Sequence, residues 1–158
     1  MTKTAIFTVP GEPTGKARPR VVRGHAFTPE KTVLYENLIK TEYERQCGRA
    51  IFEGPVGVTV TAYYSIPKSD SRKKRDLKIN GALRPMKKPD ADNVLKCICD
   101  ALNGVAFVDD AQVVRAVVEK FYSMDPRVDV KITEVEGCCR ICNTHSPRRD
   151  GRNRRDDE

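Results

Sequence analysis

The chain has 158 residues and a formal charge of +7, enough length for one domain that buries its own core without staples. No apolar run approaches a membrane span, and MTKTAIFTVP is too short and too alternating for a secretory signal, so a cytoplasmic protein is expected. The six cysteines, at 47, 97, 99, 138, 139 and 142, follow no disulfide framework, which points to reduced thiols.

Ala5 to Val9 alternates as a first strand. PGEPTGKARPRVVRGHAFTP then carries too much Pro, Gly and Arg for regular structure and reads as a connection, solvated or ordered on a ligand. Thr28 and Pro29 start a helix, with a capping hydroxyl and proline at the first helical position. Val33, Leu34, Leu38 and Ile39 recur there at helical spacing, and Gly48 stops it. From Val56 to Ile66 the period is two. Val56, Val58, Val60, Ala62, Tyr64 and Ile66 share one face, and Thr59, Thr61 and Ser65 take the other.

Ser69 to Ile79 predicts a short helix ended by Gly81. Asp92 to Asn103 predicts an amphipathic helix with Val94, Leu95, Ile98, Ala101 and Leu102 on one side and Gly104 as its stop. Gln112–Tyr122 and Arg127–Val135 predict two strands, paired with each other through the turn Met124-Asp125-Pro126. After Gly137 the chain is polar, rich in Arg and Asp and poor in large apolar side chains. A domain over residues 1–136 and a disordered tail over 137–158 are therefore expected. Together these elements predict an α+β fold, a small mixed sheet with helices packed mainly on one face.

The positive charge is uneven. Between Lys68 and Lys88 there are nine Lys or Arg and only two Asp. Such a block points to a polyanionic partner, most often nucleic acid, although a solvated loop has the same composition.

Within this basic chain, KPDADNVLKCICDALNGVAFVDDAQVV, from Lys88 to Val114, gathers Asp90, Asp92, Asp100, Asp109 and Asp110. Asp92, Lys96 and Asp100 fall on one helix line. A helix followed by a returning strand brings its two ends to one sheet edge, where Asp90, Asp92 and one of Asp109 or Asp110 have the chance to converge. Carboxylate oxygens suit magnesium or manganese, which activate water and stabilise both oxygens of a phosphodiester displacement. A lysine nearby adds charge where the phosphorane is most negative. The plain alternatives are a helix cap for Asp90 or Asp92, an ion pair for Asp92 with Lys96, and a turn for Asp109-Asp110.

The whole string resembles the signature of the RusA family of Holliday junction resolvases, with its paired aspartates, Asn, Lys, Asp-Ala-Leu and Asp-Asp-x-Gln. GEPTGKARPR, from Gly11 to Arg20, is similar to that family's N-terminal basic motif, and IPKSDSRKKR, from Ile66 to Arg75, to its central basic segment. The likeness runs in order over roughly residues 4 to 135. It implies a RusA-like fold and a homodimeric, magnesium-dependent endonuclease, with manganese standing in, that nicks four-way junction DNA at symmetric positions during recombination and repair. A phage or prophage origin in a bacterial host follows from the same resemblance. By motif, the essential carboxylates and metal ligands fall on Asp90, Asp92 and Asp110, and the essential lysine on Lys96. No ligand role carries over to Asp100 or Asp109. Lys16, Arg18, Arg20, Arg23, Lys68, Arg72, Lys73, Lys74 and Arg75 are expected to neutralise backbone phosphates.

GEPTGKA is no Walker loop. Three residues separate Gly11 from Gly15 and Ala17 follows Lys16, so no nucleotide cofactor is expected. Cys138, Cys139, Cys142 and His145 have zinc-ligand chemistry but sit cramped, without a second separated pair. Cys97 and Cys99 point to different helix faces, so one of them is expected to pack, and neither reads as catalytic. Cys47 reads as packing and His25 as a solvated histidine. The rivals to a resolvase are a non-catalytic DNA-binding protein with a zinc-binding tail, and a nuclease of the same chemistry acting on forks, flaps or RNA.

Overall fold

A computed structural model describes residues 2–17, 20–22, 25–27 and 29–135, with backbone alone at 20–22 and 25–27. Arg18, Arg23, Thr28, the side chains of Arg20 and His25, and the tail with its cysteines and His145 lie outside the described residues.

The chain runs β1 (Thr4–Pro10), β2 (Arg20–Val22), β3 (His25–Phe27), α1 (Glu30–Cys47), β4 (Val56–Ser65), α2 (Arg72–Ile79), α3 (Ala91–Leu102), a 3-10 turn (Asp110–Gln112), β5 (Val113–Ser123) and β6 (Arg127–Glu134). The fold is α+β. Four strands form one mixed sheet in the order β1-β6-β4-β5, and β2 pairs with β3 in a separate small ribbon. That ribbon corrects the expectation of an irregular connection, because Arg20 to Phe27 holds enough β-branched and apolar residues for one short antiparallel pair.

The predicted β5–β6 hairpin is also corrected. β5 pairs parallel to β4, and β6 pairs antiparallel to β4 on its other side. The three-residue link Met124–Pro126 therefore crosses the end of β4 instead of closing a hairpin. The physical reason is burial. β4 alternates Val56, Val58, Val60, Ala62 and Tyr64, all at most 1% exposed, and the most apolar strand takes a central place. β5 is half exposed and takes the edge.

The inward faces of β1 (Ala5, Phe7, Val9), β4 and β6 (Val128, Val130, Ile132) make one core with α1 and α3. The other face of the sheet carries Ile6, Thr59, Thr61 and Val117, which stay half or fully exposed. In α1 the buried line is Thr32, Tyr35, Ile39 and Tyr43, while Val33 and Leu34 face out. The sequence stripe was thus displaced around the helix. Tyrosine supplies the apolar bulk, and Tyr43 settles its hydroxyl by donating to the Ala50 carbonyl while its ring meets Phe7 edge-on at 5.3 Å. Pro29 stands at the N-cap position, one residue later than expected. Cys97 and Cys99 are both buried, because α3 is covered by α1 on one side and by the β5 end of the sheet on the other.

Among the described residues no helix is long and apolar enough to cross a membrane. Leu102, which is fully buried, is expected to lose about 3 kcal/mol of stability on truncation to Ala. Leu34→Ala, on the exposed side of α1, is expected to cost less than about 0.5 kcal/mol, both read by urea unfolding.

Candidate active site

α3 sets the direction of the predicted chemistry. Val94, Cys97, Ile98, Ala101 and Leu102 are 0% exposed, so the line through Asp92 and Lys96 must face outward. Asp90 occupies the N-cap position, yet its side chain makes no capping hydrogen bond. Asp92 sits in the first turn. Among the described residues, the carboxylates of Asp90 and Asp92 and the ammonium of Lys96 have no hydrogen bond or ion pair, so the i,i+4 pair weighed for Asp92 and Lys96 is not formed.

The neighbouring acids are committed elsewhere. Asp100 receives Lys16 Nζ at 3.0 Å, and the same ammonium reaches Glu36 at 2.5 Å. Asp109 accepts the Ala111 N–H at 2.8 Å while its own N–H donates to Gln112 Oε1 at 3.1 Å, closing a capping box. Gln112 Nε2 also donates to the carbonyls of Phe52 at 3.0 Å and Gly54 at 2.9 Å, which pins this turn to the approach of β4. Asp109 is thus the cap, and Asp110 beside it is left exposed with a free carboxylate. Asp110 stands against α3. Burial first, and then the Asp110 charge, push the Cys99 thiol up to about 11. Burial likewise pushes Cys97 up to about 12, so both thiols stay protonated and inert.

Among the described residues, no three His, Cys, Asp or Glu side chains stand together as a ready metal cluster. The donor chemistry nonetheless fits a hard divalent ion, since magnesium is commonly held by one or two carboxylates with water and substrate phosphate completing its shell. Exposed carboxylates without partners at the start of α3 and at Asp110 are suitable donors.

Beside Asp90 lies a cleft of about 680 Å³ whose wall includes Lys16, Lys31, Lys88 and Asn93. The N-terminal basic motif forms one side of it by close approach. A Cβ on Gly15 would stand 2.7 Å from Pro89 Cβ and 3.1 Å from Asn93 Cβ, so only glycine lets this segment touch the head of α3. The Lys16 N–H then donates to the Asn93 carbonyl at 3.1 Å. Burial lowers the pKa of the Lys16 ammonium, but its bonds to Glu36 and Asp100 outweigh that and raise it. Its charge is engaged within the protein.

Lys68, Arg72, Lys73 and Lys74 are exposed on or just before α2, with Lys74 leaning to Asp70 at 3.3 Å. Arg75 is half-buried and turned toward Met124 Sδ at 3.8 Å. A second groove, about 300 Å³, joins α2 to Lys87 through Lys74, Lys78 and Arg84. The sequence reading missed Lys31 and Lys88, both in the cleft. Lys88 was legible as the neighbour of the acids, whereas Lys31 reaches the cleft only through the packing of α1.

The family model for endodeoxyribonuclease RusA matches residues 10–133. The chain belongs to the RusA endodeoxyribonuclease family. The uncharacterized protein YqaN of Bacillus subtilis (strain 168) is 42% identical over 135 residues, covering 82% of this chain and 95% of that protein. The RusA match includes the basic segment at Gly15, both grooves and every acid from Asp90 to Asp110.

Two of the cleft lysines, Lys31 and Lys16, are expected to behave differently toward DNA. Lys31→Met should flatten the dependence of log affinity on log salt by about 0.9, the loss of one phosphate contact. Lys16→Met should leave that slope unchanged, since its ammonium already serves Glu36 and Asp100. Fluorescence anisotropy across a salt series checks both.

Proposed function

We propose that this RusA-family chain is a junction resolvase, a divalent-metal-dependent endodeoxyribonuclease that makes paired symmetric nicks in four-way DNA during recombination and repair. The observation that carries the reading is the sorting of acids between Lys88 and Val114. Asp100 and Asp109 are engaged in an ion pair and a cap, while Asp90, Asp92 and Asp110 stay free and exposed.

Asp90, Asp92 and Asp110 hold the ion in this reading. Magnesium, with manganese standing in, supplies a Lewis acid that activates water and steadies the leaving oxygen. Lys96, one turn beyond Asp92, offers an unpaired cation to the charge of the phosphorane. Lys31 and Lys88 on the cleft, with Lys68, Arg72, Lys73 and Lys74 around α2, neutralise backbone phosphates. The junction has approximate two-fold symmetry and each chain offers one acidic site, so two chains act together through an isologous interface. By the same reading the enzyme is of phage or prophage origin and works in the cytoplasm of a bacterial host.

A panel of four-way junction, fork, flap, single-stranded DNA and RNA, cut under one condition with and without chelator, tests the reading. Symmetric junction nicks that vanish with chelator and return with magnesium are expected. Preferred cutting of forks, flaps or RNA would keep the chemistry and reassign the substrate. Junction binding with no cutting in any divalent metal would leave a DNA-binding protein.

Substitution separates binding from chemistry. Asp90→Asn, Asp92→Asn and Asp110→Asn should bind junctions at least as tightly as wild type, yet lose cleavage by orders of magnitude. Asp109→Asn should stay near normal, because Asn caps a helix about as well as Asp. Lys96→Ala should lose about a hundredfold or more in single-turnover rate. Light scattering should report twice the chain mass, and a monomer that still resolves junctions would contradict the dimer.

A further inference from the structure

Lys120 sits on the wrong face of β5 for a lysine. Its register partner is Ala62, fully buried, and it shares that face with Val118 and Tyr122, which pack on the core. An inward cation is costly unless it finds partners. Lys120 finds main-chain oxygens. Its ammonium donates to the Lys87 carbonyl at 2.6 Å and to the Pro89 carbonyl at 3.1 Å, and stands 5.1 Å from the centre of the Tyr64 ring. The Tyr64 hydroxyl donates to the same Pro89 carbonyl at 3.2 Å. From the other side, Arg84 Nε donates to the carbonyl of Lys120 itself at 2.5 Å.

The residue after Pro89 is Asp90. β5 therefore reaches across the sheet edge and grips the backbone that delivers this carboxylate to the head of α3. One ammonium carries three donors on a long stem, so it can hold two carbonyls at once. Resting on the metal reading of Asp90, we propose that Lys120 is a positioning residue that clamps the Lys87 and Pro89 carbonyls and so sets where Asp90 meets a divalent ion. Groups that orient a metal ligand in this way typically change affinity by ten- to a hundredfold when removed.

A clamp and a bystander charge make opposite predictions. A lysine that merely stands near the metal site repels the ion, so its removal would tighten binding. A clamp that fixes Asp90 strengthens binding, so its removal weakens it.

The test uses the full chain without DNA. Manganese affinity is measured by electron paramagnetic resonance for wild type, Lys120→Met and Lys120→Arg, with thermal midpoints recorded alongside. Lys120→Met should bind manganese about tenfold more weakly. Lys120→Arg, which keeps donors for both carbonyls, should recover most of the loss. Tighter binding by Lys120→Met, or a lowered midpoint with unchanged manganese affinity, would overturn the clamp. A wild-type chain that binds no manganese would instead sink the metal reading of Asp90 and the clamp with it. Wild type that binds manganese, beside a Met variant that binds it equally well, sinks the clamp alone.

Discussion

The burial of α3 is the constraint on which the rest of the site depends. Val94, Cys97, Ile98, Ala101 and Leu102 have no freedom to turn, because α1 and the sheet close over them. Rotating the helix to hide Asp92 or Lys96 would expose a face that contributes several kcal/mol of apolar burial, by roughly 1.5–3 kcal/mol per large side chain. The outward line of the helix is therefore set by the core. The head of the helix is fixed from two further directions, by the close approach of Gly15 and by the hold of Lys120 and Tyr64 on the Pro89 carbonyl.

On this frame the charged residues divide by whether they have partners. Asp70 holds Lys78 beneath the ring of Tyr122, Asp100 and Glu36 hold Lys16, and Asp109 caps its turn. These are structural uses of charge. Among the acids between Lys88 and Val114, Asp90 and Asp92 at the head of α3 and Asp110 beside the helix stay exposed and unpaired, with lysines on the cleft that adjoins Asp90. Opposite charges kept apart at one cleft are unfavourable for folding alone. In the proposed reading, a substrate that brings both phosphate and a divalent ion satisfies both signs at once.

Much of this was legible in the sequence, and what was not has particular causes. The β4 alternation and the apolar line of α3 are strong local signals, and both elements fall within a residue or two of expectation. The β5–β6 hairpin failed because a short polar turn between two strands looks the same whether they pair directly or straddle a third. In α1 Tyr35 and Tyr43 took the buried side that Val33 and Leu34 were expected to fill, and the Tyr43 ring packs there against Phe7 of β1, a contact distant in sequence. Nothing local to Lys16, an expected phosphate contact, reveals that its ammonium also reaches Glu36 and Asp100. Lys120 did leave a trace. Val118, Lys120 and Tyr122 share a face of the predicted strand, and a lysine between two core-packing residues marks a half-buried cation with partners of its own.

The central claim is that the carboxylates left unpaired by the fold, and not their paired neighbours, form the metal site. Manganese titration of the Asn variants at positions 90, 92, 100, 109 and 110, without DNA, tests it most directly. The account predicts weakened binding for Asp90→Asn, Asp92→Asn and Asp110→Asn, and near wild-type binding for Asp100→Asn and Asp109→Asn. Loss of manganese in Asp100→Asn or Asp109→Asn, with Asp90→Asn and Asp110→Asn unaffected, would contradict it.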